Sequence, residues 1–133
     1  MRRLLLSILM LGVVALSGTA LSPTGETQAP QKEVALVEFQ DQVKLLGVFL
    51  RGQYLIVHDH ERMARGEVCT YVYGRKAGQP DKLVASFHCI PVTRKKAEHF
   101  TVRTSRISNL IPIPEVLELQ FAGSSEAHQV PTN

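Results

Sequence analysis

Both cysteines of the chain and three of its five histidines fall within one stretch, from His58 to Cys89. The stretch opens on His58, Asp59 and His60, passes Met63 and Cys69, and closes on His88 and Cys89. Imidazole nitrogens with a thioether suit copper, and with a carboxylate they suit zinc. A metal or ligand site built from His58, Asp59, His60, Met63 and His88 is therefore the sharpest chemistry on offer. Arg62 and Arg65 lie in the same segment and could meet an anion, or pair with Glu61 and Glu67 on the surface. The pattern is loose. It is neither a Cys-x-x-Cys zinc motif nor a compact Cys-His-Met copper loop, and it lacks the Cys-x-x-Cys of a thiol oxidoreductase.

Other chemistries find less support. Ser86, His88 and Asp59 could be named as a triad, but no Gly-x-Ser-x-Gly elbow surrounds Ser86. The carboxylates Asp59, Glu61 and Glu67 read as solvated loop charges rather than a catalytic pair. There is no glycine-rich phosphate loop. No residue is assigned a catalytic role, and a small exported hydrolase ranks last among the functions considered.

The elements that must hold the stretch are strands. Val68–Gly74 alternates, with Cys69, Tyr71 and Tyr73 on one face. Leu83–Val92 reads as a single strand with Phe87 and Cys89 on one face and His88 on the other. Pairing Tyr73 with Ala85 across the Arg75–Lys82 loop sets Tyr71 opposite Phe87 and Cys69 opposite Cys89. Opposed residues have Cα atoms about 4.5–5.5 Å apart, inside the range a disulfide accepts. A Cys69–Cys89 disulfide is expected, on the face away from the histidines.

Around this centre, Val34–Phe39 is apolar and could be strand or helix. Val43–Leu50 and Gln53–His58 suggest a hairpin turning at Arg51-Gly52. Asp59 could cap one helical turn through Met63 with Gly66 as its terminator, and a plain loop fits the segment equally well. Phe100–Ile107 and Glu115–Ala122 are further strands, the latter with Glu118 and Gln120 facing away from Leu117, Leu119 and Phe121. The expectation is an all-β fold, a small antiparallel sandwich or barrel of about six to seven strands.

The ends bound the domain. Residues 1–20 read as a signal peptide: Arg2 and Arg3, an apolar Leu4–Leu16 run, and small residues up to a cut after Ala20. The run is too short to span a bilayer comfortably, and no cysteine near the cut offers a lipid anchor. Residues 21–33 read as a flexible spacer, 34–122 as one β domain, and 123–133 as a disordered tail. The expected destination is the periplasm or the extracellular space, by the general secretory route.

The chain carries 15 Lys and Arg against 12 Asp and Glu; losing Arg2 and Arg3 would leave 13 against 12. Nucleic acid, which needs a concentrated basic field, is a poor partner for so neutral a domain. The leading functional expectation is a non-catalytic binding or envelope-associated domain. Its partner would be a small ligand or an envelope protein, held at the His58–Glu67 loop. The alternative is a copper- or zinc-binding exported protein using His58, His60 and His88.

Overall fold

The computed structural model describes residues 31–132. The leader, its cut after Ala20 and most of the spacer lie outside the described residues. The fold is mostly β, with two antiparallel sheets of four strands each.

The first sheet has strand order β1-β2-β3-β4. It contains β1 (Lys32–Leu45), β2 (Val48–Asp59), β3 (Thr70–Gly74) and β4 (Lys82–Phe87). The second has order β5-β8-β7-β6, from β5 (Ile90–Thr93), β6 (Thr101–Thr104), β7 (Val116–Gln120) and β8 (Glu126–Gln129). The short helix α1 (His60–Ala64) follows β2. Buried side chains of both sheets, including Leu50, Ile56 and Val72 from the first and Val116 and Leu119 from the second, join in one core with Val130 just past β8. Each fully buried aliphatic side chain of this kind contributes about 1.5–3 kcal/mol by leaving water.

The described fold has eight strands, more than expected, and its boundaries depart from the sequence reading in four places. Val34–Phe39 is strand, and β1 begins at Lys32, inside the presumed spacer. In β1, Glu33 and Ala35 are buried while Val34 and Leu36 are exposed, the period-two pattern of a sheet with one covered face. The hairpin turns at Leu46-Gly47 rather than Arg51-Gly52. Both turn residues have positive φ, 48° and 82°, as a type I′ two-residue hairpin requires. This turn lets β1 pair with β2 from Leu45↔Val48 to Lys32↔Asp59, with one irregularity between Phe39 and Val43. So long a ladder outweighs the awkwardness of a leucine at positive φ.

The expected Leu83–Val92 strand is two strands in different sheets. The chain leaves β4 at Phe87, crosses at His88-Cys89 and enters β5 at Ile90. Pro91 has no N–H to give a central ladder, and β5 is an edge strand. Finally, the presumed tail contains β8, which lies between β5 and β7 and buries Ala127 and His128. Its pairing comes from flanking strands, not from local propensity.

Local signals at α1 match its structure. Asp59 has extended backbone and its carboxylate accepts a hydrogen bond from the Arg62 N–H at 3.1 Å, which makes it the N-cap. Gly66, at φ 73°, closes the turn by donating to the Met63 carbonyl.

Candidate metal centre

His58 ends the inward face of β2, directly opposite Thr70 at the start of β3. Both are buried, and His58 Nδ1 shares a hydrogen bond of 3.1 Å with the Thr70 hydroxyl. Thr70 and Val72, not Tyr71 and Tyr73, face the core. The cause is a shift in register: Tyr71 pairs with Ser86 and Thr70 with Phe87, and the Tyr73 end is displaced by a bulge. A one-residue slip exchanges the two faces of a strand.

Both cysteines lie just beyond the strand ends, and both thiols are completely buried. Their sulfurs are 3.4 Å apart, far from the S–S bond length of about 2.05 Å, and both thiols are free. The expected disulfide is therefore absent. The slip puts Phe87, and with it Cys89, on the face of Thr70 and His58; Cys69 joins them because it precedes the first residue of β3, where strand alternation no longer holds. The Cys69 N–H still donates to the Phe87 carbonyl, and the Cys89 N–H donates to Cys69 Sγ at 3.4 Å.

Cys89 Sγ is the hub. Around it stand Cys69 Sγ at 3.4 Å, His128 Nδ1 at 3.5 Å, Met63 Sδ at 3.6 Å and His58 Nδ1 at 3.8 Å. Each neighbour arrives on a different element: His58 on β2, Met63 on α1, Cys69 before β3, and His128 on β8 of the other sheet. Cys89 itself sits where the chain crosses between sheets. The rings of His58 and His128 stack at 3.9 Å. One donor atom each from His58, Cys69 and Cys89 lies within 4.8 Å of the other two.

Bonds of about 2.3 Å to sulfur and about 2.1 Å to nitrogen place neighbouring ligands of a tetrahedral ion roughly 3.4–3.8 Å apart. The spacings around Cys89 fall in that interval. Burial pushes the Cys89 thiol up to about 12, with the Cys69 sulfur adding to the shift. Burial also lowers His58 to about 3, helped by the charges of His128 and His60. His58 is therefore a neutral imidazole with a free lone pair to offer, whereas a thiol must lose its proton to become a ligand.

A second group adjoins the first. His60 Nε2 is 3.0 Å from Glu33 Oε2, and His60 Nδ1 is 3.7 Å from Glu126 Oε1. His128 Nε2 is 3.5 Å from Glu33 Oε2. Burial alone would raise the Glu33 carboxyl, but the adjacent His128 and His60 imidazoles outweigh it and leave it below its usual range.

The residues singled out from sequence are dispersed. His58 and Met63 reach the sulfur centre, and His60 reaches the carboxylate group. Asp59 instead caps α1 and pairs with Lys32 at 3.7 Å. His88 is exposed; its Nδ1 donates to the Glu67 carbonyl at 2.8 Å and lies 3.8 Å from Cys69 Sγ. Arg62 donates to the Tyr71 hydroxyl, and Arg65 pairs with Glu67 at 2.8 Å. Ser86 is exposed and Asp59 is engaged at the helix cap, so these two do not meet as parts of a triad. The sequence reading passed over His128, Glu33 and Glu126, which it assigned to tail and spacer. Their only signal is a weak alternation: Ala127 and His128 sit beside Val130, and Glu33 is in phase with Ala35.

No family model, curated protein or solved structure matches the chain.

Proposed function

We propose that this protein is a metal-binding β domain that holds one soft ion, copper(I), between the two sheets of a small sandwich. The ligands are Cys69, Cys89 and His58, with Met63 or His128 as a fourth. The observation that carries the reading is the ring of donors around Cys89 Sγ, two sulfurs and two imidazole nitrogens within 3.8 Å. Thiolate and thioether donors together select copper(I); zinc(II) takes thiolate and imidazole readily but seldom thioether. The set replaces the His58, His60 and His88 grouping suggested by the sequence.

Binding would exchange thiol protons for the ion, so loading releases protons and strengthens as pH rises. The ion is then the ligand of a non-catalytic binding domain. Export is part of the same proposal, supported by Arg2, Arg3 and the apolar Leu4–Leu16 run ahead of small residues. An N-terminus at Leu21 in the mature protein is its direct check.

The test is anaerobic titration of reduced, untagged protein with copper(I) against a chromophoric chelator. One copper(I) per chain is expected. Cys69→Ser/Cys89→Ser should lose it, while His88→Ala should keep the stoichiometry. Wild-type protein that takes no copper(I) under these conditions would end the proposal.

A further inference from the structure

The carboxylate side of the centre has a different problem from the sulfur side. Three of its buried polar atoms have no hydrogen-bond partner: His58 Nε2, His128 Nε2 and Glu126 Oε1. The His58 and His128 side chains are completely buried, so water does not reach these nitrogens from bulk. A buried polar atom without a partner costs about 1–3 kcal/mol. Two such imidazoles against one wall call for a bound group.

The wall they share is built from acids and a third histidine. Glu33 Oε2 lies 3.0 Å from His60 Nε2 and 3.5 Å from His128 Nε2. Glu126 Oε1 lies 3.7 Å from His60 Nδ1 and 3.9 Å from His128 Nδ1. One donor atom each from His58, His60 and Glu126 lies within 4.8 Å of the other two. The rings are tightly packed: His60 meets His58 edge-on at 4.6 Å and His128 at 5.8 Å. This is a nitrogen and oxygen donor set with no sulfur, and each orphaned Nε2 offers a lone pair in the tautomer whose Nδ1 carries the proton.

We propose that this group binds a second ion, a divalent borderline cation of the zinc(II) class, held by His60 Nδ1, Glu126 and His58, with Glu33 accepting a hydrogen bond from the other His60 nitrogen. Imidazole and carboxylate ligands suit zinc(II), while the thioether and thiolates beyond them suit copper(I). The two sites would then sort ions by softness; His58 has one lone pair as a neutral imidazole and serves one ion at a time, so His128 completes the sulfur centre when the second site is filled. The second site is also the one solvent can reach, since the His60 and Glu126 side chains are 23% and 40% exposed. It goes beyond the sulfur centre and does not depend on it.

Cobalt(II) distinguishes the two sites, because thiolate ligation gives an intense sulfur-to-cobalt charge-transfer band and nitrogen or oxygen ligation gives only weak visible bands. Reduced Cys69→Ser/Cys89→Ser protein, titrated without oxygen, should still bind one cobalt(II), displaced by zinc(II), with visible bands alone. Adding His60→Ala/Glu126→Gln to that background should abolish it. A folded Cys69→Ser/Cys89→Ser variant that binds no cobalt(II), or binding that survives His60→Ala/Glu126→Gln, overturns the proposal.

Should the double-cysteine variant fail to fold, His60→Ala/Glu126→Gln alone decides. Loss of the weak-band ion supports the second site, and an unchanged titration overturns it. Absence of the charge-transfer band in wild type would count against the sulfur centre only, so the two failures are told apart.

Discussion

Glu118 on β7 and His58 on β2 are both polar side chains sealed in the interior, at 3% and 0% exposure, but their surroundings are finished differently. Glu118 receives Arg94 through Nε at 3.1 Å and Nη2 at 2.8 Å, and Arg103 Nη1 at 3.4 Å. Every part of that carboxylate has a cation. Around His58 the thiols are free, and the orphaned Nε2 atoms of His58 and His128 stand beside an orphaned Glu126 Oε1. A buried group that the protein itself satisfies is there to hold the fold. A buried cluster that the protein leaves open, with donors at ligand spacing, is what the proposal of a bound ion rests on.

The comparison can be broken by adding metal. Ligand that binds only the folded state stabilises it by mass action: about 2.7 kcal/mol when free ion exceeds Kd 100-fold, or roughly 10–20 °C in Tm for a domain of this size. Copper(I) should therefore raise the anaerobic melting temperature of wild type by that order. The Glu118→Gln variant should show the same rise from a lower start. A rise missing from wild type, or present in Cys69→Ser/Cys89→Ser, would erase the distinction between the two clusters.

Glu118→Gln itself should cost about 2 kcal/mol in denaturant melts, with or without metal, because it leaves two guanidinium groups half-paired. The Glu118 carboxyl lies below its ordinary value of 4.5, held there by the Arg94 hydrogen bonds against the opposing push of burial. Its contribution is thus fully present above pH 4.5 and is lost as pH falls through the lower folded value. Wild type should lose stability more steeply than Glu118→Gln below pH 4.5; parallel curves would show that the pair does not hold the fold.

The smallest effect sharpens the contrast from the other side. Thr70→Val removes the hydroxyl that satisfies His58 Nδ1 in the metal-free protein. It should destabilise that form by about 1 kcal/mol and the loaded form by less, since the ion takes over the same nitrogen. Equal losses in both forms would mean that Nδ1 is not a ligand.

Much of the scaffold was legible in the sequence. Alternation pointed to the strand-rich class, and Asp59 with Gly66 offered a helical turn that a plain loop fitted as well, because both signals are local. The non-local parts were hidden. Leu46-Gly47 and Arg51-Gly52 each offer a single glycine for a turn, and only the β1–β2 ladder separates them. Apolar alternation runs unbroken through His88-Cys89, although Pro91 points to an edge. His128 was lost because Glu126–Gln129 is short and polar and becomes a strand only between β5 and β7. The thiols were expected inward and are buried, but a register one residue out set His58 and Thr70 on the opposite face, which hid the candidate site itself.

The most direct measurement is X-ray absorption at the copper edge of protein loaded with one copper(I) per chain. The account predicts sulfur neighbours at about 2.3 Å together with nitrogen, and loss of the sulfur shell in Cys69→Ser/Cys89→Ser. A first shell of nitrogen and oxygen alone would contradict it.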